Sequence, residues 1–317
     1  MRVGAVDCGT NSVRLLVADV DGAVKHDVLR EMRVVRLGEG VDRTGELSEQ
    51  ALERTRRALA DYAATCAELA VEQIRMVATS ATRDARNRDQ FRSMVREVLG
   101  VEPEVISGDE EAALSFDGAT RGLDPADGPF LVVDIGGGST ELVLGTTAVE
   151  AALSVDIGCV RLTERHLVGD PPRAGEVAAA EADIDAALAL VREVVPVERA
   201  RTTVGLAGSV TTVAALALEL PAYDPDRIHL SRIPAAQVAA VTARLLAQTR
   251  EQRAALPVMH PGRVDVIGAG ALVLSTVVDR LGLAEVLVSE ADILDGIAWS
   301  VPQVAATRPA AVQQPVR

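Results

Sequence analysis

Apolar residues in this chain come in short runs broken by small polar turns, and one such arrangement occurs twice. The first copy runs through residues 3–6 to Asp7, then Cys8-Gly9-Thr10-Asn11-Ser12, and resumes as a largely apolar run at 13–18. The second runs through 130–133 to Asp134, then Ile135-Gly136-Gly137-Gly138-Ser139-Thr140-Glu141, and resumes at 142–144. Each copy predicts a β-hairpin with a strand buried on both faces before the turn. Glycine permits left-handed backbone, so several N–H groups of such a turn can converge on one anion, with the hydroxyls as extra donors. A lone Gly-Gly-Gly is equally well an ordinary tight turn. A turn has no need of Asp in the same register in both copies, and that repeat points to phosphate binding. Two such loops across a cleft would grip a chain of phosphates, with Asp7 and Asp134 holding a metal ion between them.

Between and beyond the hairpins the period changes to that of helices. Ser48 caps a segment, 49–70, in which Leu52, Thr55, Leu59, Tyr62, Cys66 and Leu69 recur at helical spacing. A strand at 74–78, a loop at 79–83, a helix at 89–99 stopped by Gly100, a strand at 104–106 and a helix at 112–120 follow. The polar turn 124–129 is the strongest boundary, giving an N-terminal lobe, 1–125, and a C-terminal lobe, 126–301. The second lobe repeats the hairpin and predicts a strand at 153–156, helices at 175–195 and 235–247, and a strand into a glycine turn at 203–209 continuing as helix 210–220. Residues 264–281 read as a repeat of that strand–turn–helix scheme through Gly268-Ala269-Gly270. A strand at 286–289 and a helix from about Ala291 close the lobe, and 302–317 read as a disordered tail. Strands alternating with helices, performed twice, predict an α/β fold of two related lobes with the ligand cleft between them.

Composition narrows the partners. The 317 residues are 48% hydrophobic, enough for two cores, and no apolar stretch is long enough to span a bilayer. The chain enters its first strand at once, so no signal peptide is expected, and the cytoplasm is the expected location. Cys8, Cys66 and Cys159 are too few and too scattered for a disulfide framework or a zinc cluster. A net charge of −14 excludes a general nucleic-acid surface, and 2% aromatic residues leave no base-stacking platform. A phosphate ligand must then be held locally by amides, arginines and a divalent cation.

Several residues can do chemistry in such a cleft. Asp109-Glu110-Glu111 opens a helix, where acidic side chains commonly satisfy free N–H groups and the helix dipole. One of them beside a phosphate cleft could instead activate a water. Arg14 and Arg83 are the arginines nearest the small-residue loops, and Arg83 ends a strand at the crevice edge. Either is also an ordinary solvated arginine. Glu141 follows the second loop, within reach of a metal at Asp134 or simply exposed on a strand. Gly205-Leu206-Ala207-Gly208-Ser209 opens a helix, suited to an anion or to close helix–strand packing. His26, His166, His229 and His260 show no metal-ligand spacing.

Taken together, these segments resemble the Ppx/GppA family of exopolyphosphatases and guanosine pentaphosphate phosphohydrolases, within the sugar kinase, heat-shock ATPase and actin superfamily. Residues 7–15 resemble its first phosphate loop, 78–87 its arginine segment, 106–112 the segment of its catalytic glutamate, 134–141 its second phosphate loop and 205–209 its later glycine loop. The resemblance implies two ribonuclease H-like lobes of the actin-like ATPase fold. It implies Glu111 as general base and Asp134 and Glu141, with Asp7, as ligands of magnesium or another divalent cation. Asn11, Ser12, Arg14, Arg83, Gly136, Gly137, Gly138, Ser139, Gly208 and Ser209 would hold phosphates. A homodimer is also implied. The first loop has Gly9-Thr10 where the family often has Gly-Ser, and the chain stops after two lobes where long members add helical domains. Short polyphosphate or a nucleotide is then favoured over long polymers. The alternatives are a guanosine pentaphosphate 5′-phosphohydrolase and a non-catalytic binder of polyphosphate or guanosine tetraphosphate. A kinase of the superfamily would need an acceptor pocket of which the sequence shows no sign.

Overall fold

A computed structural model describes residues 1–22 and 24–307, with side chains as far as 302 in the last helix. The first half runs β1 (Arg2–Cys8), β2 (Ser12–Asp21), β3 (Val24–Val34), α1 (Val41–Thr44), α2 (Glu49–Glu68), β4 (Gln73–Ala78), α3 (Ser80–Asp84), α4 (Arg88–Leu99), β5 (Glu104–Val105) and α5 (Gly108–Thr120). The second runs β6 (Phe130–Ile135), β7 (Thr140–Gly145), β8 (Val149–Val155), α6 (Cys159–Arg165), α7 (Ala174–Val194), β9 (Thr202–Leu206) and α8 (Ala207–Ala217). It closes with α9 (Pro225–Ile228), β10 (Arg232–Pro234), α10 (Ala235–Ala247), α11 (Arg250–Ala254), α12 (Ile267–Arg280), β11 (Glu285–Val288) and α13 (Ile293–Thr307).

The strands form two sheets, ordered β3-β2-β1-β4-β5 and β10-β11-β9-β6-β7-β8. In each, an antiparallel three-stranded meander is extended from its first strand by parallel strands reached through helices. This is the ribonuclease H-like topology performed twice, and the expected two-lobed α/β architecture holds. β1 and β6 are the structural counterparts, buried along almost their whole length because helices cover both faces.

The lobes are not closed off from each other at the boundary the sequence suggested. α5, from the first half, lays Ala112, Phe116 and Ala119 on Phe130, Val132, Val143 and Val204 of the second sheet. α13, from the second half, returns to the first sheet, burying Ile293, Leu294, Ile297, Ala298 and Val301 among Val3, Ala5, Leu16, Ala18 and Val77. The two helices cross where Gly118 meets the backbone of Asp292 and Gly296, and Gly296 meets the Leu114 carbonyl. Any side chain at either glycine would overlap backbone.

Other expectations need correction. In α2, Thr55, Leu59, Tyr62 and Cys66 are buried as predicted, whereas Leu52 and Leu69 are only partly so. β3 escapes the sequence pattern because its mostly polar residues lie at a solvated edge. No strand precedes Gly268-Ala269-Gly270: these residues lie within α12, which is apolar nearly all round because α6, α7, α8 and α10 enclose it. The loop at 79–83 is largely the short helix α3, and the helix expected at 112 begins at Gly108, where the Ser107 side chain caps it. Residues 302–307, expected as the start of a tail, are helical: α13 passes through Pro302 to Thr307, anchored by Ile297, Ala298 and Val301. Residues 308–317 lie outside the described residues.

Candidate active site

The registers of the two hairpins set the site. Asp7 stands opposite Arg14 across β1–β2, and Asp134 opposite Glu141 across β6–β7. Both turns close with the same bond, Gly9 N–H to the Ser12 carbonyl at 2.9 Å and Gly136 N–H to the Ser139 carbonyl at 3.0 Å. The two turns face each other at close range. A Cβ on Gly137 would come within 2.8 Å of Thr10, and one on Gly138 within 2.5 Å of the Ser80 hydroxyl. Glycine is needed here because one turn nests against the other. Thr10 and Ser80 share a buried hydrogen bond of 2.9 Å beneath them.

A cleft of about 110 Å³ lies between the turns. Of the residues singled out from sequence, Asp7, Asn11, Ser12, Arg14, Glu111, Asp134, Gly136, Gly137, Ser139, Glu141, Gly208 and Ser209 line it. Gly138 and Arg83 do not: Gly138 backs onto Thr10 and Ser80, and Arg83 lies on α3 behind Glu111.

Glu111 is the member of the acidic triplet that turns inward. Asp109 and Glu110 are exposed, and Glu110 pairs with Arg75 at 2.7 Å. Glu111 is buried, with Oε2 held by Arg83 Nη1 at 3.0 Å. Arg83 also donates to the Ile106 carbonyl at 3.1 Å, which fixes its own position. Burial raises the Glu111 carboxyl to about 7, Arg83 opposes the rise, and the nearby Asp134 and Asp7 add to it. Asp134 and Glu141 are likewise raised, chiefly by burial. Ser115 donates to Asp134 Oδ2 at 2.6 Å and Ser154 to Glu141 Oε1 at 2.7 Å, so both acids are oriented.

Arg14 lines the cleft as expected, with its guanidinium already engaged. Its Nε and Nη2 donate to Asp7 Oδ2 at 2.9 and 2.7 Å, and Nη1 pairs with Asp292. The guanidinium lines the cleft but is engaged by two carboxylates, so its charge offsets theirs before any ligand arrives. Arg263 is the converse. It lies on the cleft wall beside Gly208, donates to Thr212 Oγ1 at 3.2 Å, and among the described residues has no carboxylate within 4.0 Å. No local motif marks Arg263, which lies just ahead of the 264–281 segment.

The donors suit a hard divalent cation. Asp7 Oδ1 is buried without a hydrogen-bond partner, an orphaned carboxylate oxygen that a cation would satisfy. Among the described residues no group of three His, Cys, Asp or Glu side chains is arranged around one point. Magnesium is ordinarily held by one or two carboxylates completed by phosphate oxygens and water, a pattern that one or two of Asp7, Asp134 and Glu141 would fit.

Ala207, at the start of α8, has φ 66°, left-handed backbone that a non-glycine residue adopts at a cost of about 1 kcal/mol or more. Ala207, Gly208 and Ser209 lie on the cleft wall. A second cavity of about 720 Å³ adjoins the first and shares Arg14, Met32, Ala207, Gly208 and Arg263 with it.

Facing glycine turns, inward carboxylates and duplicated lobes define a phosphate-handling protein of the actin-like ATPase type. The chain belongs to the Ppx/GppA phosphatase family, whose model matches residues 16–301. It is 53% identical over 313 residues to Exopolyphosphatase 2 of Mycobacterium tuberculosis, covering 95% of this chain and 98% of that protein. A Ppx/GppA family member of Aquifex aeolicus superposes with a TM-score of 0.81 at 30% identity, covering 98% of this chain and 99% of the other. An exopolyphosphatase of Cytophaga hutchinsonii superposes with a TM-score of 0.89 at 25% identity, covering 97% and 99%. Among the described residues no helix is long and apolar enough to cross a membrane.

Proposed function

We propose that this protein is an exopolyphosphatase that removes the terminal phosphate of short inorganic polyphosphate by water attack. What supports this most is Glu111: one buried carboxylate with a raised pKa, held by Arg83, on the wall of the cleft where both glycine turns meet. A base with a pKa near neutrality takes a proton effectively at physiological pH. In this reading Glu111 accepts the proton of a water whose oxygen bonds to the terminal phosphorus, while the bond from that phosphorus to the bridging oxygen breaks and the oxygen leaves with the electron pair on the shortened chain. The Ser12 and Ser139 hydroxyls, the amides of the second turn and Arg263 bind the phosphate oxygens. Asp7 and Asp134, with Glu141 beside them, would hold magnesium together with phosphate oxygens, and the ion when bound would neutralise charge building up on the phosphates.

The experiment is release of orthophosphate from short polyphosphate in the presence of magnesium. The wild type should turn over. Glu111→Gln should lower kcat by about 10²-fold or more while binding of tripolyphosphate stays within about threefold. Binding without turnover by the wild type would make the protein a sensor and end the hydrolase reading.

The adjoining cavity supports a second reading, hydrolysis of guanosine pentaphosphate. Tyr223, His229, His260 and Met259 line it, with Glu290 as a carboxylate acceptor beside the Tyr223 hydroxyl at 2.6 Å. Rings and a half-buried acceptor are what a purine needs. In a substrate panel this reading requires Tyr223→Ala and Glu290→Gln to reduce kcat/KM for guanosine pentaphosphate and leave that for tripolyphosphate unchanged. A homodimer and a cytoplasmic location are part of the proposal, and light scattering in solution tests the first.

A further inference from the structure

The second turn is held from behind by a short helix that the phosphate motifs do not include. The Gly136 carbonyl accepts from Cys159 N–H at 3.0 Å, and the Gly137 carbonyl accepts from Val160 and Arg161 N–H at 2.9 and 3.1 Å. The Gly138 carbonyl accepts from the Arg161 side chain, Nε, at 2.6 Å. All three glycine carbonyls therefore point at the first turn of α6. In a planar trans peptide the N–H points opposite to the C=O, so the N–H groups of Gly137, Gly138 and Ser139 are directed away from α6. Gly158 lets the turn lie this close, because a Cβ there would overlap the Gly137–Gly138 peptide.

Arg161 does more than fill the last of these bonds. Its Nη1 pairs with Asp42 and its Nη2 with Asp84 at 2.6 Å, so one guanidinium joins the second turn to α1 and α3 of the other half of the molecule. Its side chain is 11% exposed. Two neighbours on α6 reinforce the same bridge. Arg165 binds both oxygens of Asp42 at 2.6 and 2.7 Å, and the Glu164 carboxylate accepts from Gly40 N–H at 3.1 Å. The far side of the bridge reaches the first turn: Gly38 N–H donates to the Thr10 carbonyl at 2.8 Å, and Ser80, which opens α3, meets Thr10.

We propose that Arg161 is a positioning residue for phosphate binding: held by Asp42 and Asp84, it sets the direction of the Gly138–Ser139 peptide and thereby the amide cradle of the second turn. Only an arginine has the planar fork to serve one carbonyl and two carboxylates at once. The inference rests on the second turn binding phosphate, as the hydrolase reading has it, but not on turnover.

The test is binding of tripolyphosphate by calorimetry, alongside kcat, KM and the thermal midpoint. Arg161→Gln should weaken binding and raise KM by about tenfold or more, with a thermal midpoint within a few degrees of wild type. Arg161→Lys should recover part of the loss, because it keeps charge for Asp42 and Asp84. Should Arg161→Gln fail to fold, the double variant Asp42→Asn, Asp84→Asn removes the two close charges that hold the guanidinium, leaving Asp156 at 3.7 Å and the Gly138 bond, and it should raise KM and the dissociation constant together by about threefold or more. Binding and KM within twofold of wild type in the folded variants would overturn the proposal. A lowered thermal midpoint with unchanged binding would overturn it equally, leaving Arg161 a purely structural tie. If the wild type binds tripolyphosphate without hydrolysing it, the hydrolase reading fails while the Arg161 proposal is still decided by the calorimetry.

Discussion

Individual side chains in the cleft work in opposed pairs. Arg83 favours ionised Glu111 against burial, and the resulting value of about 7 places its titration in the working range. Turnover should fall as pH drops through about 7, because a protonated Glu111 accepts nothing. Arg83→Gln removes the cation that lowers the Glu111 pKa, so the acid limb of the kcat profile should move to higher pH, and an unmoved limb would show that Arg83 does not tune the base. Arg14 is bound by Asp7 and Asp292, with Asp292 almost fully buried. Asp292→Ala leaves that guanidinium short of a partner and should cost about 3 kcal/mol in urea unfolding. At this scale the sequence was informative about identity and less so about role. Glu111, Asp134 and the loop hydroxyls were legible because a repeated motif marks them. The engagement of Arg14 was not, since its partner Asp292 lies 278 residues away. Nor was Arg83's place behind Glu111, because the loop that carries it folds as α3.

At the scale of elements, hairpins and amphipathic helices were readable and enclosed helices were not. The two hairpins and α2, α4, α7 and α10 carry periodic patterns that half-buried elements impose. α12 carries no such pattern, since a helix surrounded by helices is apolar on every side, and its first turn therefore reads as a strand and glycine turn ahead of a helix. α5 and α13 show the same gap in another form. Each was recognisable as a helix, yet no local signal tells that each packs on the sheet of the other half of the chain. Their crossing depends on Gly118 and Gly296, and Gly118→Ala or Gly296→Ala, forcing a methyl into backbone, should destabilise by about 1–3 kcal/mol in chemical denaturation. A neutral result would mean that the helices can separate without loss.

For the molecule as a whole, four buried carboxylates with raised pKa values, Asp7, Glu111, Asp134 and Glu141, converge on one cleft. Arg14 and Arg83 pair with Asp7 and Glu111, yet burial outweighs the cations, so the shifts have the opposite sign to those of exposed salt-bridged acids. The folded state holds protons that the unfolded state has released, so stability rises as pH falls from the folded values toward the ordinary carboxylate range. Without divalent cation, the thermal midpoint should therefore increase between about pH 8 and about pH 6. Magnesium should raise the midpoint most at the upper end, where the carboxylates are ionised. A midpoint flat with pH and indifferent to magnesium would remove the metal from the proposal.

The chain alone determined that two like hairpins exist, that each ends its first strand in Asp followed by small residues, and that one acidic triplet opens a helix nearby. Those are local properties, written in periodicity and turn chemistry. Folding decided which acid of the triplet faces inward, which arginines are committed to carboxylates, and that α6 holds the second turn from behind. These depend on contacts between residues far apart in sequence, made by burial and by pairing of charge across the two halves, and no short segment carries them.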